Sequence, residues 1–247
     1  MAPIRKGDGT PLEIPGVQEV RSGDGRVFFD GDAIPDSELP QDGLQHEWYA
    51  PALEYDDGAT GQSFDDQQGD FDFSASGDVT FVENGINDLP SFDYDDNNFH
   101  EYLPSAIRTG DNNEYTVAFV VDFVGTDGTR YFIRTDAGDR GADFAVDDGS
   151  WRVVHGGADA LNFGTASTDP VVFVAAYDGS TVHLDINDAE NYSGSAGWLN
   201  DDSTDEALMG VGDFADMMGH VAWWDQYYDD SGRSSIANEL NRIWEVY

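Results

Sequence analysis

The chain has 247 residues, 39% of them hydrophobic and 13% aromatic, with 50 acidic residues against 11 basic ones and no cysteine. That apolar content supports a sizeable core and argues against intrinsic disorder over most of the length. A formal net charge of -39 argues against nucleic acid and anionic lipid as partners, since affinity for either rests on Lys and Arg, and the absence of cysteine removes disulfide frameworks, zinc ribbons and thiol nucleophiles.

Residues 1–42 read as an extended anchoring arm. Pro3, Pro11, Pro15, Pro35 and Pro40 forbid helices there and confine strands to edges. Gly7-Asp8-Gly9 and Gly23-Asp24-Gly25 each supply a tight turn. Apolar groups such as Ile4, Leu12, Ile14, Val20, Phe28 and Phe29 are too many for a solvated linker, yet about 40 residues cannot build an independent core. The arm is therefore expected to dock onto the following domain, a sister subunit or a larger assembly. Met1 to Thr10 is followed by no apolar stretch, so no signal peptide is expected. The longest apolar runs, Tyr115 to Val121 and Val171 to Tyr177, are well short of the roughly 20 residues that span a bilayer, and no membrane insertion is expected.

Residues 43–247 read as β almost throughout. Tyr115 to Val124, a turn at Asp127-Gly128 and Arg130 to Arg134 form one hairpin. A second turn at Asp148-Gly149 precedes Trp151 to Val154. Val171 to Tyr177, Asp178-Gly179-Ser180 and Thr181 to Ile186 form the clearest hairpin, in which Val182, Leu184 and Ile186 alternate with Thr181, His183 and Asp185, giving one core face and one wet face. His220 to Tyr228 reads as an aromatic strand. Ile236, Leu240, Ile243 and Trp244 follow the spacing of a short amphipathic helix. Together these elements predict an all-β fold, a two-sheet antiparallel jelly-roll sandwich with an extended N-terminal arm and one short C-terminal helix.

The acidity has a particular texture, 38 Asp and 12 Glu facing ten Arg and only Lys6. Such a surface repels itself in dilute buffer, whereas at about 1 M salt the Debye length falls to about 3 Å and the repulsion is screened. Dense short carboxylates with almost no Lys resemble proteins of salt-in halophilic archaea and their viruses. A calcium-binding extracellular acidic domain is the other reading of the same composition.

The stretch Val172 to Ile186 resembles the central hairpin of laminin-G-like, concanavalin A-like domains. Gly219 to Tyr228 followed by a helix from Ser234 to Trp244 is similar to that family's closing strand and helix, and Leu208-Met209-Gly210-Val211-Gly212 resembles the small-residue strand before them. The resemblance covers roughly residues 44 to 247 and implies a lectin-like sandwich. Ahead of it, Gly-Asp-Gly repeats and Ala33-Ile34-Pro35-Asp36 look like leader segments of structural proteins from tailed viruses of haloarchaea. That resemblance implies a virion surface protein, of capsid or tail fibre, assembled in the host cytoplasm. Its partners would be other virion proteins and sister subunits through residues 1–42, in a homo-oligomer, with a host surface glycan as ligand.

Reaction chemistry is not visible. The Glu-x-Asp-x-x-Glu pattern of related glucanases is absent. His46-Glu47 and His100-Glu101 begin a zinc-protease motif, but its fifth position holds Ala50 or Pro104 where a second His is needed. Asp93 to Pro104 starts like an EF-hand loop and lacks its Gly and its final Glu. The chain is therefore expected to have no catalytic residues and not to be an enzyme. A polysaccharide-acting glycoside hydrolase or a free carbohydrate-binding module is the alternative. No cofactor is required. Calcium is an optional ion, with Asp201, Asp202 and Asp205 as its ligands and Asp147 with Asp148 as a lesser pair. For a glycan, Trp198 supplies a flat rim face, Asp201 and Asp202 the acceptors, and Trp151 and Tyr228 further aromatic surface. Of Trp223 and Trp224, alternation sends one to each face of a strand.

Overall fold

The computed structural model describes residues 19–21, 27–29, 37–69, 71–94, 98–102, 114–123, 125–134, 142–155, 160–196, 207–212 and 216–247. The chain divides into two compact units, residues 1–37 and 38–247. In the first, β1 (Glu19–Arg21) and β2 (Val27–Phe29) pair antiparallel, with Val20 opposite Phe28. Residues 38–42 belong to the second unit, to which hydrogen bonds tie them. Trp224 Nε1 donates to the Pro40 carbonyl at 2.7 Å and the Tyr228 hydroxyl donates to the Asp42 carbonyl at 2.8 Å.

The second unit contains β3 (Leu44–Tyr49), β4 (Ser74–Ser76), β5 (Thr80–Val82), β6 (Ser91–Asp93), β7 (Phe99–Tyr102), β8 (Tyr115–Asp122), β9 (Thr129–Arg134) and β10 (Ala142–Asp147). There follow β11 (Ser150–His155), β12 (Leu161–Phe163), β13 (Val171–Tyr177), β14 (Thr181–Ile186), β15 (Glu190–Ser195), β16 (Ala207–Gly212), β17 (Met217–Trp224) and α1 (Asp230–Trp244). One sheet runs β12-β11-β10-β9-β16-β7-β4. The other runs β15-β14-β13-β8-β17-β6-β5, with β3 also paired to β17. All the pairings are antiparallel. This is the jelly-roll sandwich read from the sequence, with α1 at the C-terminus.

The period-two alternation of strands explains both faces of the second sheet. In β8, Val117, Phe119 and Val121 enter the core between the sheets, where they meet Phe173, Phe144 and Phe132. Thr116, Ala118 and Val120 point the other way and are nevertheless buried, because α1 packs on β8 and β13 from outside. Ile236, Ala237, Leu240, Ile243 and Trp244 form the buried stripe of that helix. The β17 strand stops at Trp224, short of the expected Tyr228, and α1 begins at Asp230, four residues before the expected Ser234. The start is set by Asp229, whose carboxylate accepts from the Gly232 amide at 3.0 Å, an N-cap that satisfies an otherwise unpaired helix donor.

Two glycines are fixed by close approach. Gly210 has φ +77°, and a Cβ there would sit 2.3 Å from the Tyr94 ring, which accounts for the small residue in β16. Gly219 is the extra residue of a bulge in β17, where the β8 register passes from Met218–Val121 to His220–Val120. A Cβ on Gly219 would lie 2.0 Å from the Trp244 ring. Gly219→Ala is expected to cost about 2 kcal/mol through overpacking, lowering the melting temperature by about 4–8 °C. Thermal melts in molar salt check this. A second change, Trp244→Leu, should make the alanine tolerable.

Candidate functional site

Four of the five histidines are buried and serve the fold. On β3, adjacent His46 and Glu47 point to opposite faces and are used separately. His46 Nδ1 meets Asp66 Oδ2 at 2.8 Å, and Glu47 Oε1 meets His220 Nε2 at 3.0 Å. His220 Nδ1 in turn lies 3.4 Å from the Trp244 indole nitrogen, so this network pins α1 to the sheet. His100 sits between the Tyr94 hydroxyl and the Gln62 carbonyl.

A polar surface that opens to solvent lies beside α1. In β14, Val182, Leu184 and Ile186 belong to the core, so Thr181, His183 and Asp185 face outward. The β15 register sets Ser195, Ser193 and Asn191 opposite them, and paired antiparallel residues share a face. The β14–β15 turn carries Asn187 and Asp188 at φ 53° and 51°, a left-handed conformation that Asn and Asp tolerate. It brings Asp188 to α1, where Asn238 Nδ2 donates to Asp188 Oδ2 at 3.2 Å.

Between these elements and the first turns of α1 lies a cavity of about 240 Å³ lined by Asp185, Asp188, Ala189, Asn191, Asp230 and Ser234. Arg233 holds its wall. The guanidinium is wholly buried; Nε donates to Asp185 Oδ2 at 2.5 Å, Nη1 to the Tyr228 carbonyl at 3.0 Å and to the Tyr227 hydroxyl at 3.4 Å, and Nη2 to Asp230. Burial pushes the Asp185 carboxyl above its ordinary range, with Arg233 offsetting part of the rise. Burial would lower Arg233, but Asp185, Tyr227 and Asp230 together raise it. The His183 ring lies 5.5 Å from Tyr227 and its Nε2 3.2 Å from Asp178 Oδ2. Burial would raise Asp178, yet the Ser180 hydroxyl, the Thr181 amide and His183 hold it below the usual carboxylate range.

Trp198, Asp201, Asp202 and Asp205 lie outside the described residues. Trp151 corrects the expectation of an open aromatic face, because it is 1% exposed and its indole packs on Phe123, Phe132 and Phe173. Tyr228 is half-buried at the corner before α1. Its ring packs edge-on against Trp224, and its hydroxyl is spent on Asp42. Trp223 and Trp224 do face opposite ways, but both are buried. Asp147 and Asp148 do not converge. Asp147 binds Arg152 and Thr129, whereas Asp148 accepts from the Gly128 amide.

No protein-family model and no curated protein matches the sequence. Solved structures do match in fold. Trypanosoma rangeli sialidase in complex with sialic acid aligns with a TM-score of 0.59 at 13% identity, over 83% of this chain and 34% of the sialidase. A mutant of that sialidase displaying trans-sialidase activity gives 0.60 at 15% identity with the same coverage. Domain 4 of an extracellular GH43 arabinanase from Geobacillus stearothermophilus, in complex with arabinotriose, gives 0.58 at 11% identity, over 78% of this chain and 98% of that domain. The chain thus spans about a third of the sialidase's length and nearly all of the arabinanase domain. These likenesses agree with a concanavalin A-like sandwich. They also correct one expectation, since the fold is one that occurs within glycoside-acting enzymes and the reading of the chain as a non-enzyme does not stand.

Proposed function

We propose that residues 38–247 bind carbohydrate in the groove between α1 and the outer faces of β14 and β15. The observation that carries this reading is the cavity, lined by carboxylates, Asn191 and Ser234, while the neighbouring Arg233 also holds the Tyr227 hydroxyl and the Tyr227 ring lies beside His183. A sugar needs that combination, polar groups for its hydroxyls and a flat apolar edge for its ring. The arabinanase domain that shares the fold over nearly its whole length was solved with arabinotriose, which supports the same class of ligand.

Titration of an oligosaccharide panel in molar salt tests the reading. Binding is expected, and the double variant Asn191→Ala, Ser234→Ala should weaken it by about thirtyfold through two lost hydrogen bonds of about 1 kcal/mol each. Both positions lie outside the core, so the fold is expected to persist. Release of reducing ends is followed on the same panel, so that turnover is read beside affinity. A panel in which nothing binds would overturn the proposal.

For its setting we infer the surface of a virus particle from a salt-rich host, with residues 1–37 as the anchoring arm. The support is the Asp-rich, Lys-poor composition and the apolar, Pro-rich arm. Sedimentation in molar salt compares the full chain with one lacking residues 1–37. Self-association of the full chain alone is expected, and a monomer in both cases overturns the anchoring role.

A further inference from the structure

Resting on that carbohydrate reading, we propose that the groove continues along α1 onto the ring of Tyr247. The ligand is then an oligosaccharide, with one sugar in the cavity and a further one stacked on that ring. A polar ridge of the helix makes the connection. Ser234 lines the cavity, and Asn238 and Asn241 follow it four and then three residues on, along one face of an α-helix. Asn238 Nδ2 donates to the Ser234 carbonyl at 2.8 Å and to Asp188 Oδ2 at 3.2 Å. Nearly one turn later, Asn241 Nδ2 donates to the Tyr247 carbonyl at 2.9 Å and its Oδ1 accepts from the Tyr247 amide at 2.8 Å. Asp188, itself part of the cavity wall, and Tyr247 are therefore held by neighbouring side chains of one ridge.

Tyr247 is 46% exposed, the one large hydrophobic side chain left open among the described residues, on a body that hides Trp48, Trp151, Trp223, Trp224 and Trp244 almost completely. A lone exposed apolar group means little by itself. This one ends a ridge that starts in a polar cavity, and a flat face beside hydroxyl-binding groups is what a sugar chain uses. The platform is also fixed before any ligand arrives. Glu245 takes the left-handed conformation at the helix C-cap, and its amide bonds the Asn241 carbonyl at 2.8 Å. Asn87 Nδ2 holds the Trp244 carbonyl at 2.7 Å. A surface held in this way loses little freedom on binding. Burial, and after it the nearby Asp188 carboxylate, push the Tyr247 hydroxyl up to about 12, so the ring stays neutral. Size argues for more than one sugar. The cavity of about 240 Å³ is smaller than the roughly 300–1,000 Å³ of sites that enclose a drug-sized ligand, and Ser234 and Asn241 stand about 10 Å apart along the helix axis.

The test compares maltotriose with glucose and xylotriose with xylose by NMR titration in molar salt. A trisaccharide is expected to bind about tenfold more tightly than its monosaccharide. Tyr247→Ala should weaken that trisaccharide about fivefold, as loss of one stacking contact implies, and leave the monosaccharide unchanged. Tyr247→Phe should keep the parent affinity. Both variants should melt as the parent does, because Asn241 holds main-chain groups of Tyr247 that the substitutions retain. The double variant Asn191→Ala, Ser234→Ala, which alters the cavity itself, should instead weaken trisaccharide and monosaccharide alike. Three results overturn the Tyr247 platform and leave the carbohydrate reading standing: a trisaccharide that binds no better than its monosaccharide, a trisaccharide affinity that Tyr247→Ala does not lower, or a loss in Tyr247→Phe as large as that in Tyr247→Ala. Failure of every sugar to bind overturns both.

Discussion

Arg233→Met is expected to destabilise the protein by about 3–5 kcal/mol, the cost of leaving a buried charge without its partner. The guanidinium is the hub between α1 and β14. Without it Asp185, already held above its ordinary range by burial, loses its Oδ2 partner and faces Asp230 unshielded. Because Arg233 is wholly buried and Asp185 nearly so, salt should rescue little of the loss. The double variant Arg233→Met, Asp185→Leu should recover most of it, since a buried pair replaced by apolar groups is often neutral. The exposed Arg242–Glu239 pair on the same helix provides the comparison, and Arg242→Met should cost less than about 1 kcal/mol. Chemical denaturation at fixed salt measures all three. A loss at Arg233 no larger than that at Arg242 would show that the hub is not structural.

The Arg233 case also shows how far the sequence could be read. The helix stripe of Ile236, Leu240, Ile243 and Trp244 was visible from spacing alone. Carried back three residues from Ile236, that stripe lands on Arg233, an arginine on a core-facing position, which was the signal for the site. The missed helix start hid it, because the Asp229 cap lies in an Asp-rich run where caps look like any other surface acid. The β13–β14 hairpin was legible because strict alternation and Asp178-Gly179 act locally. Asp185 was legible only as a wet-face residue. That α1 covers that face is a non-local fact which no period in the chain encodes.

Other misses have equally local causes. The strands β4, β5 and β12 are three residues each, too short for a period to emerge. The burial of Trp151 follows from its neighbours. In β11, Trp151, Val153 and His155 alternate with Ser150, Arg152 and Val154, and the first set is buried. The strand's alternation, not the flat face of the indole, decides where Trp151 points. The small residues of β16 and β17 were seen as a pattern, but their cause was not, since Gly210 and Gly219 answer to Tyr94 and Trp244, both distant in sequence.

Acidification through the window from about pH 6.5 to 4 should destabilise the fold by about 3 kcal/mol on account of His100 alone. Burial lowers its pKa from 6.5 to about 4, only partly opposed by the Gln62 carbonyl and Asp65. The cause is visible in the bonding. A carbonyl only accepts, so Nε2 donates to Gln62 at 2.9 Å, and Nδ1 accepts from the Tyr94 hydroxyl at 2.8 Å. A proton on Nδ1 would turn that acceptor into a donor among Phe64 and Phe92. The unfolded imidazole takes its proton near 6.5 and the folded one only near 4, so the unfolded state binds more protons between them. Stability is therefore full above the window and lost on passing down through it. Other groups act in the same range with either sign. Hydrogen bonding to Arg242 holds Glu239 low, which also favours the fold at higher pH, whereas burial raises Asp185 and Asp122 and favours it at lower pH. His100→Gln separates these contributions, because it keeps a donor for Gln62 and removes the titration. Urea midpoints in constant molar salt should fall steeply with pH in the parent and more shallowly in the variant. Parallel slopes would assign the acid sensitivity to the carboxylates instead.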